Sequence, residues 1–324
     1  MEFTKLGRSG LTVSRLCLGT MNFGQFANEK ESHEIMDRAL ELGINFFDTA
    51  DVYGWKMGEG ITEKIIGNWL SKGEGRRERI VLATKVYGQM GKSPNRRGLS
   101  KYHIVRACEE SLSRLQTDRI DLYQMHHVER TTPYEEIWEA MEQLVHEGKV
   151  LYIGSSNFAG WDIAKAQAEA NNRNFMGLIS EQHKYSLSCR LPELEVLPSS
   201  LDHGIGVIPW SPLDGGILGG NAFDPGKNSR SIDKLQQTKT NQLRSNIKKY
   251  YKFCEELGES PADVAIAWLL HNEAVAAPII GPRNEKQLVG IANAMNVKLS
   301  EESLKKLDQI WPGPGGDAPA AYSW

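Results

Sequence analysis

Ile80-Val81-Leu82-Ala83-Thr84-Lys85-Val86-Tyr87 is a short, nearly continuous apolar run with one lysine set near its end. A run that is β-branched and continuous instead of alternating suits a strand buried on both faces of a parallel sheet. Seven further runs of this kind lie at 16–21, 44–50, 120–126, 151–155, 177–182, 206–210 and 276–281. Helical patterns fill the intervals. Ile35, Met36, Ala39 and Leu40 recur at helix spacing over 32–42, and Gly43 is placed to end that helix. Ser100 caps a helix whose apolar face is Ile104, Cys108, Leu112 and Leu115. Thr132-Pro133 reads as N-cap and first helical residue, with Gly148 at the stop, and Pro261 opens another helix.

Eight strands alternating with helices predict a (β/α)8 TIM barrel, with residues 1–324 forming a single domain. The alternative is a doubly wound sheet plus a smaller domain, but no linker or shift in composition divides the chain. Three segments stand outside the alternation. Residues 2–13 read as an N-terminal β-hairpin around Gly7-Arg8-Ser9-Gly10 that closes the barrel bottom. Residues 214–240 are polar and rich in Gly, Asn and Ser, and form a long lid loop. Residues 311–324 are rich in Pro, Gly and Ala and read as irregular.

Lys plus Arg is 38 against 41 for Asp plus Glu, a formal charge of −3. Bulk charge therefore gives no reason to expect binding to nucleic acid or an anionic membrane. Cys17, Cys108, Cys189 and Cys254 are far apart, so neither a disulfide framework nor a metal site is indicated. The first residues lack the apolar core of a signal peptide, and the longest apolar run, 264–270, is too short to span a bilayer. The default expectation is a cytoplasmic protein. No GxGxxG, HExxH or GxSxG occurs, and Gly91-Lys92-Ser93 has Val86 where a P-loop needs its first glycine.

In a (β/α)8 barrel the active site lies at the C-terminal ends of the strands. The second run ends at Asp48, with Tyr53 in the loop beyond it. The third carries Lys85, and the fourth ends at His126-His127. A buried ammonium needs a partner, and Asp48 is available. Lysine beside a phenol stabilises the phenolate, which would make Tyr53 a usable proton donor near neutral pH. A histidine nearby could orient a carbonyl oxygen. Together these side chains suit reduction of a carbonyl. Each also has a plainer reading: Lys85 in a structural ion pair, Tyr53 as a loop aromatic, Asp48 as a turn residue, the histidine as a satisfied structural group. Alternation alone does not choose between His126 and His127.

At these residues the sequence resembles the aldo-keto reductases. Phe47-Asp48-Thr49-Ala50 with Tyr53, Ala83-Thr84-Lys85, Asp121-Leu122-Tyr123-Gln124-Met125-His126, Ile153-Gly154-Ser155-Ser156-Asn157-Phe158 and Trp210-Ser211-Pro212-Leu213 carry the likeness. It runs from Leu6 to about Leu307. The resemblance implies a barrel that binds NADP(H) without a Rossmann fold and reduces a small-molecule carbonyl substrate. It implies a tetrad of Tyr53 as general acid, Lys85 as modulator of its pKa, Asp48 as partner of the lysine, and His126 as the carbonyl-orienting residue. It further implies that Ser156, Asn157 and Gln182 hold the nicotinamide carboxamide and that Trp210 stacks on the ring. Gly19, Thr20 and Met21 would line the floor, and Ser211 and Leu213 would meet the pyrophosphate. Gly281, Arg283 and Gln287 would lie at the adenosine end, where a cationic arginine favours NADP over NAD. Gly290 and Ile291 depart from the acidic residue and asparagine that many relatives carry there.

Narrower stretches, Gly19-Thr20-Met21-Asn22-Phe23-Gly24 and Met125-His126-His127-Val128 among them, are similar to actinobacterial-type reductases. Some of those act on nucleotide-linked deoxysugars and others on general aldehydes. Lys92, Arg96 and Arg97 could meet a diphosphate, or could form a solvated basic loop. Trp55, Tyr87, Met90 and the tail near Trp311 are candidate pocket walls. A rival reading is a nicotinamide-binding regulatory subunit of the potassium-channel β type, and a third is a barrel enzyme of unrelated chemistry.

Overall fold

The computed structural model describes residues 1–223 and 234–315. Its strands are β1 (Phe3–Lys5), β2 (Thr12–Ser14), β3 (Cys17–Gly19), β4 (Phe46–Asp48), β5 (Val81–Val86), β6 (Ile120–Met125), β7 (Val150–Ser156), β8 (Leu178–Gln182), β9 (Gly206–Val207) and β10 (Ile279–Ile280). The helices are α1 (Glu29–Glu41), α2 (Ile61–Leu70), α3 (Lys101–Leu115), α4 (Tyr134–His146), α5 (Gly160–Asn172), α6 (Val196–Asp202), α7 (Lys234–Gln242), α8 (Arg244–Leu257), α9 (Pro261–His271), α10 (Glu285–Ala292) and α11 (Glu301–Ile310).

β1 and β2 pair antiparallel, and the other strands form one parallel sheet in the order β10-β3-β4-β5-β6-β7-β8-β9. Beyond β9, Ala276 N–H donates to Val207 O at 2.8 Å and Ile279 N–H to Pro209 O at 2.8 Å, which carries the sheet round towards β10 and closes the ring. This is the (β/α)8 barrel that the alternation predicts. The hairpin closes its bottom: Leu6 and Val13 are fully buried against Cys17, Phe46, Val81, Ala83 and Leu122. Gly7 there has φ +56°, and a Cβ would stand 2.4 Å from Ile179 O, so only glycine lets the hairpin seat this deeply. No helix among the described residues is long and apolar enough to cross a membrane.

The cluster that includes Phe46, Val81, Ala83 and Leu122 fixes the inward face of each strand. Their neighbours Phe47, Leu82, Tyr123 and Met125 belong to the larger core between sheet and helices. A period of two then turns Asp48, Lys85, Gln124 and His126 inward at the C-terminal end. The register pairs Lys85 with Gln124 and Ser156 with Gln182.

Helix signals hold with local shifts. Ser100 Oγ accepts from His103 N–H at 3.3 Å, and Ser260 caps α9 with Pro261 in its first turn. α1 starts earlier than its apolar spacing suggests, because Asn28 and Glu31 form a capping box. Pro133 itself occupies the N-cap of α4, one place before its expected position. Within the expected lid, residues Asp214–Gly219 form a 3-10 turn, and α7 begins at Lys234. Residues 224–233 of that segment, and 316–324 of the expected tail, lie outside the described residues. Trp311 is buried against Tyr250 and is no pocket wall.

α2, which comes after the loop bearing Tyr53, packs tightly on α3. A Cβ at Gly67 would stand 2.1 Å from Arg114 O, a backbone atom that cannot swing aside. Gly67→Ala is therefore expected to destabilise the fold by about 1–3 kcal/mol, although alanine is the better helix former. Urea denaturation measures this directly, and an unchanged or raised midpoint would contradict the packing.

Candidate active site

Lys85 is fully buried and has a complete set of oxygen partners. Its Nζ donates to Asp48 Oδ2 at 2.6 Å and to Thr49 O at 2.7 Å, and lies 3.3 Å from Tyr53 Oη. Burial works against the ammonium, but the Asp48 carboxylate and the Tyr53 oxygen outweigh it and raise its pKa above the ordinary lysine range. Asp48 is held in turn. Its Oδ1 accepts from Gln124 Nε2 at 3.0 Å and from Gln182 Nε2 at 2.9 Å. Gln124 belongs to a motif of the sequence, but the residue pattern alone gives it no role. It is fully buried, and it bonds the carboxylate that anchors Lys85. The signal was present as an amide near the end of the run Ile120–Met125, facing the same way as Lys85.

The structure also brings the expected histidine to this layer. His126 packs edge-on against Tyr53, ring centroids 5.7 Å apart. Burial, the Lys85 ammonium and the neighbouring His127 push its pKa down to about 2. The imidazole is then neutral at working pH and can donate one hydrogen bond, but it carries no proton to give away.

A cavity of about 1030 Å³ opens above this layer. Gly19, Thr20, Met21, Asp48, Tyr53 and His126 line it, with Ser156, Asn157 and Gln182 from β7, β8 and their loops. Trp210, Ser211, Leu213, Gly281, Arg283 and Gln287 line the same cavity, as do Gly290 and Ile291. Thus every expected contact faces one space, while Lys85 lies just beneath it.

The polar wall is built as a network. Asn157 is left-handed, φ +60°. Its Nδ2 donates to His126 O and Ser156 Oγ, each at 3.0 Å, and its Oδ1 accepts from Trp210 Nε1 at 3.1 Å. Glu181, on the outer face of β8, supports the same loop by accepting from Phe158 N–H at 3.0 Å and from Ser155 Oγ at 2.5 Å. Gln182 turns its amide nitrogen to Asp48, so its carboxamide is already engaged in the tetrad.

In the loop after β5, Lys92 and Arg97 are exposed, as in a solvated basic loop. Arg96 is spent on a bidentate pair with Glu110 at 2.6 and 2.8 Å. Arg97 lies over the Tyr87 ring, 6.0 Å from its centroid. Of the suggested walls, Trp55 donates its Nε1 to Met21 O at 2.9 Å, and Met90 is buried.

The cavity can accept a dinucleotide. Arg283, on the wall, lies over Phe26 at 5.3 Å, and burial lowers its pKa, a penalty that a bound phosphate would offset. A Cβ at Gly290 would meet nothing within 4 Å, so the wall there is open.

Comparison with known proteins agrees with this geometry. The profile described as "Aldo/keto reductase family" matches residues 15–312. The chain is 55% identical to the protein named "Uncharacterized oxidoreductase YrpG" of Bacillus subtilis, over the full length of both. It is 34% identical to "Probable voltage-gated potassium channel subunit beta" of Oryza sativa, covering 96% of each chain. It is 33% identical to "Versiconal hemiacetal acetate reductase" of Aspergillus parasiticus, covering 95% of this chain and 96% of that one. The narrower likeness to actinobacterial reductases rests on the motifs alone.

A neutral His126 has a direct signature. Its ring resonances are expected to stay flat from pH 5.5 to 8, a range in which an ordinary histidine with pKa near ~6.5 titrates. Stability carries the same sign. Below about 6.5 the unfolded chain takes up a proton at His126 that the native state refuses, so this residue's contribution falls as pH falls towards 2. A titration of His126 with a midpoint near 6.5 would contradict the burial argument.

Proposed function

Because the chain belongs to the aldo/keto reductase family of oxidoreductases, we propose that it reduces aldehydes and ketones to alcohols with NADPH, using residues 1–324 as one cytoplasmic catalytic unit. The observation that carries the reading is the Tyr53–Lys85–Asp48 chain at 3.3 and 2.6 Å beneath a cavity shared with His126. When bound, the reduced nicotinamide supplies a hydride to the carbonyl carbon and leaves as NADP⁺.

The chain's own residues do the rest. His126 donates its one N–H to the carbonyl oxygen and fixes the carbonyl's orientation. Tyr53 gives the proton from Oη to that oxygen as negative charge develops on it. Lys85, 3.3 Å away, stabilises the phenolate left behind. Asp48 holds Lys85 charged and in place, and Gln124 and Gln182 hold Asp48. The neutral state of His126 supports Tyr53 as the acid, since the imidazole has no spare proton at working pH. Ser156 and Asn157 would receive the nicotinamide amide, and Trp210 its ring. Ser211 and Leu213 would meet the pyrophosphate, and Arg283 with Gln287 the 2′-phosphate.

Substrate class is the finer step. A sugar or nucleotide-linked keto-sugar fits the width of the cavity, but Arg96 is engaged by Glu110 and leaves less charge for a diphosphate. The regulatory-subunit reading has one observation in its favour, the 34% identity to a probable channel subunit. It predicts tight cofactor binding, slow turnover and a dedicated partner. Fast turnover by a protein with no such partner would set it aside.

Tyr53→Phe keeps the ring and removes the proton donor. The expected loss in kcat is roughly 10²-fold or more with a reactive aromatic aldehyde, with NADPH binding retained. Equal rates in mutant and wild type would overturn the assignment of Tyr53. Arg283→Ala is expected to weaken NADPH binding about tenfold or more while changing NADH binding far less, because only NADPH carries the 2′-phosphate. Fluorescence titration of both cofactors checks this, and equal losses would place Arg283 elsewhere.

A further inference from the structure

The reductase reading leaves His127 without a task. It lines the same cavity as Tyr53 and His126. Its ring stacks on His126 with centroids 5.2 Å apart and planes within 13°. Tyr87 meets it at 5.3 Å and 63°, and Arg97 covers Tyr87 in turn. This row of rings fixes the imidazole. A plain aromatic would fill such a place equally well if shape were all that mattered. An imidazole adds a donor and an acceptor. The ring is exposed on the cavity wall, and its partial burial lowers its pKa, which favours the neutral form that offers both.

We propose that His127 is a specificity-determining contact that binds an oxygen on the carbon next to the substrate carbonyl, so that the site favours α-hydroxy carbonyls and 1,2-dicarbonyls over their hydrocarbon isosteres. This rests on the reductase reading, in which His126 holds the carbonyl oxygen itself. Each hydrogen bond reaches about 3 Å. Two parallel rings 5.2 Å apart can therefore converge on oxygens borne by neighbouring carbons. A group that can both donate and accept suits a hydroxyl and a second carbonyl alike.

Lactaldehyde and isobutyraldehyde differ only by a hydroxyl in place of a methyl. Their kcat/KM values are compared in wild type, His127→Phe and His127→Gln. Wild type is expected to favour lactaldehyde by about tenfold or more, the value of one added hydrogen bond. The ratio falls towards one in His127→Phe, and His127→Gln, which keeps a donor and an acceptor, restores part of it. Binding of the products gives the same comparison without turnover. Propane-1,2-diol moves the His127 ring resonances at concentrations where isobutanol does not. A ratio near one in wild type, or an undiminished ratio in His127→Phe, overturns the proposal while leaving the reductase reading intact. If no aldehyde or ketone oxidises NADPH, the reductase reading fails and this proposal fails with it.

Discussion

The site depends on a lysine ammonium buried inside a barrel. A charge removed from water is costly unless it is paired and hydrogen-bonded. Lys85 meets that demand with Asp48, Thr49 and Tyr53. Each partner sits in or just beyond β4, so the requirement of one side chain fixes the register of two neighbouring strands. Asp48 then needs donors for its second oxygen, which ties in β6 through Gln124 and β8 through Gln182. Half the barrel is thus pinned by one ion pair. Replacing Lys85 or Asp48 would leave the other charge buried without its counter-ion.

The same charge allocates chemical roles. A fixed cation beside a phenol favours the phenolate, and the same cation near an imidazole disfavours its protonation. Lys85 helps to hold His126 neutral, and in the proposed mechanism the same cation favours proton donation by Tyr53. In the proposed mechanism the two groups nearest the carbonyl thus take different roles, acid and hydrogen-bond donor. Support comes from outside the barrel as well. Glu181 has its pKa raised chiefly by burial, yet it holds the loop that carries Asn157.

Much of this was legible in the sequence. Continuous β-branched runs marked the strands, and a lysine near the end of the third run could not be buried without a partner. Boundaries were less legible at the last two strands. The runs 206–210 and 276–281 yield only Gly206–Val207 and Ile279–Ile280 as regular strand, and isolated hydrogen bonds join the remaining residues of the two runs. The choice between His126 and His127 needed the inward face, which the hairpin plug fixes through residues distant in the chain. Gln124 was missed because one amide in a run that also holds Asp121 has no periodic signature. Arg96 and Trp311 misled for a common reason: sequence gives a residue's chemistry and not its partner, and Glu110 and Tyr250 lie elsewhere in the chain.

The central claim is that the Asp48-anchored Lys85 sets the acidity of Tyr53. Ring-labelled tyrosine NMR measures it directly. The Tyr53 phenol is expected to titrate below the tyrosines of the unfolded chain, and to move up when Lys85→Met removes the cation. A Tyr53 that titrates with or above the unfolded tyrosines in wild type, or that is unmoved by Lys85→Met, would contradict the account.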